Sequence, residues 1–232
     1  LPIGLIIGAY LNWKLVASKL REFTHKYGDA LTIPWYFEER FGDKSKILRV
    51  ITSLSILLFF TIYIAGALVA CAFLFQFILN ISYFHALVLS TVIIMCYTSL
   101  GGFIAINWID VFQGTLMLFA LLILPISIAS HIGGVDSTIQ VLNKVGTNIS
   151  NPFKNLGIVY IISQFAWGLG YFGQPHILSR FMAARDSDVI KKSTIICMSW
   201  MILSLIGAFL VGICASALFT KAQVDNHEII FL

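Results

Sequence analysis

The sequence predicts an all-α, polytopic membrane protein. Of its 232 residues, 59% are hydrophobic and only 11% are charged, and the mean hydropathy is +0.90. The apolar residues form runs long enough to cross a hydrocarbon core of about 30 Å as helices. Most of the Lys and Arg residues lie between those runs, in residues 17–49 and 183–193. This distribution disfavours a soluble enzyme domain.

The first part of the chain predicts a partial span, a polar segment and one long span. Residues 1–16 are apolar from the start and are expected to be the exit half of a span. Within the polar segment, a short helix is predicted to begin at Thr32 with Pro34 in its first turn and to lie on the membrane surface. The apolar run 47–79 would be about 50 Å long as a helix, so it must tilt or protrude.

The rest of the chain predicts four further spans. Short connections at 80–82 and 107–110 separate spans expected at 83–106 and 111–132. A longer polar loop at 133–156 divides two groups of spans. The spans predicted after it are an interrupted one at 157–182 and a last one at 194–219. We therefore expect five complete spans and a partial one, forming a single membrane domain over residues 1–232 that is truncated at both ends.

The charge distribution predicts the orientation of the chain. Cytoplasmic loops collect Lys and Arg, which places residues 17–49 and 183–193 in the cytoplasm. The net charge of +4 thus reflects topology and does not indicate a nucleic-acid partner. The four cysteines lie singly within apolar spans, without metal-ligand spacing, and are expected to be packing residues.

The interrupted span carries the main functional prediction. Gly168, Gly170 and Gly173 are followed by Gln174 and Pro175 within an apolar stretch. Interior glycine costs a helix about 1 kcal/mol and proline about 3 kcal/mol relative to alanine. In a bilayer the freed backbone groups need partners, so such a break survives only beside a polar cavity. Transporters bind charged solutes at breaks of this kind, and we predict a binding site here.

A packing face is the alternative, because small residues let membrane helices approach closely. The aromatic spacing favours the binding site. Trp167, Tyr171 and Pro175 are four residues apart and would share one face of an α-helix. Amphipathic rings in the middle of a span are unusual, since they concentrate at membrane interfaces.

Other polar or small residues within the spans leave two interpretations each. Tyr63, in the middle of a span, needs either a wet cavity or a hydrogen bond to a neighbouring helix. Asp110 could coordinate an ion, but its spacing to Gln113 favours a helix N-cap. The pair Gly101 and Gly102 is expected to serve close helix packing. His176 could titrate, but a structural role is favoured. No constellation of catalytic residues is recognisable, so no enzymatic activity is predicted.

Several stretches of the chain are similar to the sodium:solute symporter family, and the similarity extends over essentially its whole length. The run from Trp167 to Ala183 is the most specific part. The other similar stretches are residues 8–17, 29–32, 43–45, 56–63 and 101–103.

This resemblance implies a leucine-transporter-type fold of two inverted five-helix repeats. The chain would be a fragment holding part of core helix 2 through core helix 7, with the repeat boundary near 133–156. Family substrate residues would correspond to Tyr63, Trp167, Tyr171 and Pro175, and Asp110 to a functionally sensitive position. The family's sodium ligands come from helices outside this fragment, so no metal site is expected in it.

The implied function is sodium-coupled uptake of L-proline across the bacterial cytoplasmic membrane. Freed backbone N–H groups near Gly170 to Gly173 would face the carboxylate of the solute, and aromatic rings would enclose its ring. Gln174 is a further candidate substrate-binding residue. The alternatives are symport of another small solute such as pantothenate or a sugar, a transporter-like sensory domain of a histidine kinase, and a purely structural membrane subunit.

Overall fold

The computed structural model describes residues 1–144 and 157–218, which are helical and contain no β-strand. The all-α prediction is therefore confirmed for these residues. The α-helices are α1 (Pro2–Asn12), α2 (Ser18–Lys26), α3 (Ile33–Phe41), α4 (Ile47–Leu79), α5 (Tyr83–Ile132), α6 (Val135–Lys144), α7 (Ile158–Ala166), α8 (Pro175–Met182) and α9 (Ser187–Leu218). A π-helix, Trp13–Ala17, follows α1, and a 3₁₀-helix, Trp167–Gly173, follows α7.

Three of the described helices are long and apolar enough to cross a membrane: Ile47–Leu79, Tyr83–Ile132 and Ser187–Ala215. The 50 residues of α5 would extend about 75 Å as one straight helix, more than twice the hydrocarbon thickness. A break within α5 divides it into two stretches, each of spanning length. The chain is accordingly a multi-pass membrane protein.

The break in α5 lies at Gly102, not in the connection predicted at 107–110. Gly102 has φ 58° and ψ −167°, a conformation that is practically restricted to glycine. The polar residues of the predicted connection are helical instead, and Asn107 donates its side-chain N–H to the Phe103 carbonyl at 2.8 Å. A Cβ at Gly102 would meet nothing within 4 Å. The close-packing interpretation of Gly102 is therefore wrong.

The chain forms two compact units. The first comprises residues 1–18, 114–174 and 186 onward, and the second comprises 19–113 and 175–185. The predicted repeat boundary, 133–156, falls partly outside the described residues. The described residues of the first unit contain α1, the π-helix, the end of α5, α6, α7, the 3₁₀-helix and α9. The second contains α2, α3, α4, most of α5, and α8.

In the second unit, the segment predicted to be cytoplasmic forms a hydrophobic cluster with the end of α8. Tyr36 of α3 and Met182, the last residue of α8, are buried together with Ala30. Arg21 donates to the Met182 carbonyl at 2.9 Å, a group that a helix C-terminus leaves without an intrahelical partner. Arg21 also bonds Asp29 at 2.5 Å and thereby lowers the pKa of that carboxyl group. The short helix predicted after Thr32 is present as α3, although the Thr32 side chain makes no capping bond.

In the first unit, α9 packs closely on the end of α5 at a proline. Pro125 has no N–H, so the Leu121 carbonyl, four residues earlier, loses its α-helical donor. Gly207 of α9 lies against this carbonyl, and a Cβ there would come within 2.8 Å of the Leu121 oxygen. The Cys214 thiol, two turns further along α9, donates to the Pro125 carbonyl at 3.7 Å.

This contact predicts that Gly207→Val destabilises the full-length protein. A new side chain would push α9 away from α5, and overpacking typically costs about 1–3 kcal/mol. We expect a lower melting temperature in detergent. Gly212→Val is the matched control on the same helix, because a Cβ at Gly212 meets nothing within 4 Å. Equal melting temperatures for the two variants would contradict the contact.

Candidate solute-binding site at the interrupted helix

The predicted interruption of the span at 157–182 is present in the structure. Regular α-helix stops at Ala166, continues as a 3₁₀-helix to Gly173 and resumes at Pro175. Between them, Gln174 is extended, with φ −81° and ψ 109°. The backbone is thus tightened rather than unwound over most of this segment.

The 3₁₀ geometry corrects the prediction that backbone N–H groups near Gly170 to Gly173 lack hydrogen-bond partners. A 3₁₀-helix pairs each N–H with the carbonyl three residues earlier, so the N–H groups around Gly170 and Gly173 belong to this ladder. The first turn of α8, which begins at Pro175, supplies N–H groups without intrahelical partners instead.

The 3₁₀ period also changes which side chains share a face. With three residues per turn, Trp167 and Tyr171 lie about 120° apart, so the prediction that they share one face is wrong. Side chains three residues apart are eclipsed. Trp167 therefore forms one row with Gly170 and Gly173, which we call the open row. Gly168 and Tyr171 form a second row, which we call the packed row.

The packed row lies against α1. Gly168 is buried, and a Cβ on it would overlap the Gly4 carbonyl oxygen. A Cβ on Gly8 would overlap the Gly168 carbonyl, and one on Gly4 would lie 2.7 Å from the Cα of Phe165. The two backbones are in direct contact, so the packing interpretation is correct for Gly168. Sequence reasoning missed Gly4 and Gly8, although their four-residue spacing is the usual signal for close helix packing in membranes.

Asn12 was also missed, and it contacts the packed row one turn beyond Gly8. Its side chain is 1% exposed and donates Nδ2–H to the Tyr171 carbonyl at 3.0 Å. In a continuous α-helix this carbonyl would accept from residue 175, but Pro175 has no N–H. Asn12 thus supplies a donor where the proline removes one.

The open row presents bare backbone. The nearest heavy atom to a Cβ on Gly170 would be Nε2 of Gln174 at 4.0 Å, and a Cβ on Gly173 would meet nothing within 4 Å. Trp167, at the head of the row, is 68% exposed. A small ring could therefore lie directly on the backbone beside the indole, while Gln174 offers an amide at the end of the row.

In the second unit, Tyr63 belongs to an aromatic cluster. Its ring stacks on His176 with centroids 6.2 Å apart and planes 18° apart. Phe60 lies one turn earlier on α4. Its ring centroid is 5.6 Å from that of Tyr63 and 5.7 Å from that of His176. Tyr63 is 62% exposed. The structure therefore places His176, which directly follows Pro175, beside a predicted site residue; the spacing of Phe60 and Tyr63 on one helix face is the signal for this cluster.

Asp110 forms an ion pair with Arg180 of α8. It lies in the interior of α5, well after the break at Gly102, so the N-cap interpretation is wrong. Polarity around residues 107–110 suggested a helix start there, but the helix breaks at the earlier Gly102, in a conformation that favours glycine. The two side chains are 48% and 42% exposed. Pairs this exposed contribute about 0–1 kcal/mol in water.

The predicted site residues thus fall into two groups. Trp167, Gly170, Tyr171, Gly173 and Gln174 belong to the first unit, whereas Tyr63, Asp110 and Pro175 belong to the second. One boundary between the two units falls between Gln174 and Pro175. No group of three or more His, Cys, Asp or Glu side chains suited to a metal ion occurs in the part of the chain that the structure describes.

Comparison with known proteins identifies the family of this chain. Residues 1–229 match the model of the sodium:solute symporter family. The chain belongs to this family.

Relatives within the sodium:solute symporter family match the chain from end to end. It is 47% identical over 238 residues to the sodium/proline symporter of Escherichia coli, covering 100% of this chain and 47% of the relative. It is 44% identical over 232 residues to the high-affinity proline transporter PutP of Bacillus subtilis, covering 99% of this chain and 49% of the relative. The chain therefore spans about half the length of these relatives. No solved structure is significantly similar to it.

The ion pair between Asp110 and Arg180 predicts coupled effects of mutation. In the full-length protein, Asp110→Asn and Arg180→Gln should each reduce solute uptake, because each leaves the remaining charge unpaired. The double variant should be less impaired than the two single effects combined. The measurement is the initial uptake rate in cells, corrected for the amount of protein in the membrane.

Asp188→Asn is the control for this cycle. It breaks the ion pair between Lys191 and Asp188, whose side chains are 73% and 82% exposed, and we expect wild-type uptake. Independent effects of the Asp110 and Arg180 substitutions would show that the pair does not act as a unit.

Proposed function

We propose that this chain is the part of a sodium-coupled transporter that holds L-proline during its uptake across the bacterial cytoplasmic membrane. Relatives at 44–47% identity are named as proline transporters or sodium/proline symporters, which supports this substrate. The observation that carries the proposal is the open row of the 3₁₀-helix, with Trp167 at its head and two bare glycines below it.

The open row suits the apolar part of proline. The pyrrolidine ring is flat enough to lie on the backbone of Gly170 and Gly173, where any side chain would displace it. Its three ring methylenes would contribute roughly 2.4 kcal/mol at about 0.8 kcal/mol each when removed from water. The exposed indole of Trp167 would cover the ring. The family resemblance also assigns Tyr171 and Tyr63 to the substrate.

The charged part of proline needs donors and acceptors within the membrane. Transporters use backbone groups freed at a break in a membrane helix to bind charged solutes, and we assign the carboxylate to the interruption at Gln174. Each charge-assisted bond contributes about 1.5–3 kcal/mol. The Gln174 side chain would help to orient the solute.

Sodium would supply the energy for uptake. One positive charge that enters down a potential of 100 mV releases about 2.3 kcal/mol, and binding of the ion would favour the state that accepts the solute. The family resemblance assigns the sodium ligands to helices other than those of this chain. The same proposal makes the protein a transporter rather than an enzyme, with an inverted-repeat fold and residues 17–49 and 183–193 in the cytoplasm.

Gly173→Ala in the full-length protein tests the proposal. A methyl group there meets no protein atom within 4 Å, so the protein should fold and insert normally. It would occupy the space assigned to the proline ring, and we expect the proline concentration for half-maximal uptake to rise about tenfold, equivalent to about 1.4 kcal/mol. The measurement is sodium-dependent uptake of radiolabelled proline.

Gly157→Ala is the matched control, because a Cβ at Gly157 also meets nothing within 4 Å and Gly157 lies outside the open row. It should transport like the wild type. If Gly173→Ala has the uptake kinetics of the wild type, the open row is not part of the binding site. If unlabelled pantothenate or a sugar inhibits the sodium-dependent uptake better than unlabelled proline does, the assignment of proline as the substrate is wrong.

A further inference from the structure

Asn12 is a polar side chain placed where packing alone would favour an apolar one. It continues the row of α1 that begins with Gly4 and Gly8, each four residues apart and therefore on one helix face. The two glycines bring the backbone of α1 against the interrupted helix. At that separation the short side chain of Asn12 reaches the Tyr171 carbonyl and is almost completely buried.

Only half of the Asn12 amide is satisfied by the protein. Nδ2 must be the atom that faces Tyr171, because a carbonyl oxygen only accepts. Oδ1 is buried and has no hydrogen-bond partner among the described residues. A buried amide oxygen without a partner is destabilising, whereas a leucine of similar size would avoid this loss. Core packing therefore does not account for asparagine at this position.

The helix geometry changes immediately after Asn12. The π-helix Trp13–Ala17 begins at the next residue, and π-helical turns concentrate at functional sites. A π-turn shifts the following side chains by one position, and Ala17, not Val16, is the next buried residue. The straight row of α1 thus ends at Asn12, opposite the last turn of the 3₁₀-helix.

We propose that Asn12 is a positioning residue for the solute site: it holds the Tyr171 carbonyl in place of the backbone N–H that Pro175 lacks. This inference rests on the proposed function for its role in transport. Without the Asn12 bond, the Tyr171 carbonyl loses the side-chain donor that reaches it from α1. The 3₁₀ register, which turns Gly170 and Gly173 away from α1, would then no longer be held in place.

A double-mutant cycle in the full-length protein tests this inference. The variants are Asn12→Leu, Pro175→Ala and the double variant, and the readouts are the melting temperature in detergent and the kinetics of proline uptake. Asn12→Leu should raise the proline concentration for half-maximal uptake about fivefold, the equivalent of one lost hydrogen bond, with a nearly unchanged maximal rate.

Pro175→Ala restores an N–H that can bond the Tyr171 carbonyl in a continuous helix. The change in melting temperature caused by Asn12→Leu should therefore be more favourable in the Pro175→Ala background than in the wild type. Proline uptake should not be rescued in the double variant, because the continuous helix loses the open row. If the role of Asn12 were only structural, the double variant would instead regain both stability and uptake.

Ser204→Ala is the control, since Ser204 of α9 is also buried with an unpartnered hydroxyl oxygen in the described structure but has no part in the interruption. It should leave uptake kinetics unchanged. Additive melting-temperature effects of Asn12→Leu and Pro175→Ala would overturn the inference even if wild-type proline uptake is normal. Conversely, a coupled melting-temperature cycle in a protein that does not transport proline would retain the link between Asn12 and Tyr171 and reject only the substrate.

Discussion

The backbone contact between α1 and the interrupted helix determines the rest of the candidate site in the first unit. Lipid is as apolar as a leucine side chain, so membrane helices associate through close packing and hydrogen bonds rather than through burial from water. At Gly4, Gly8 and Gly168 no side chain separates the two backbones. Because the packed row is fixed against α1, the 3₁₀ period turns the open row elsewhere.

Two prolines create the same physical problem for backbone carbonyls of this unit, and the chain meets it in two ways. Pro125 frees the Leu121 carbonyl, and the backbone of Gly207 packs onto it. Pro175 removes the donor that the Tyr171 carbonyl would have, and the Asn12 amide replaces it. The first solution gives tight helix packing, whereas the second keeps a helix open at a defined point. A hydrogen-bond donor is thus found where the proposed function requires a stable interruption.

The sequence was sufficient to predict the helical class, the long span of α4 and the interruption before Pro175, because these follow from local composition. It was insufficient where two local solutions compete. Polar residues at 107–110 suggested a turn, but Gly102 could adopt a backbone conformation that they could not. The glycine-rich segment predicted a break without showing that its period would be three, so Trp167 and Tyr171 were placed on one face. The pairing of Asp110 with Arg180 and the reach of Asn12 to Tyr171 connect residues far apart in the chain, which no local pattern encodes.

The most direct measurement of the α1 contact is the thermal stability of Gly8→Ala in the full-length protein. Alanine favours a helix by about 1 kcal/mol over glycine, so without this contact the substitution should be neutral or stabilising, as we expect for Gly66→Ala on α4, where a Cβ meets nothing within 4 Å. The contact predicts the opposite for Gly8→Ala: a lower melting temperature and loss of solute uptake, because the methyl group would overlap the Gly168 backbone. A Gly8→Ala protein as stable and active as the wild type would contradict the account.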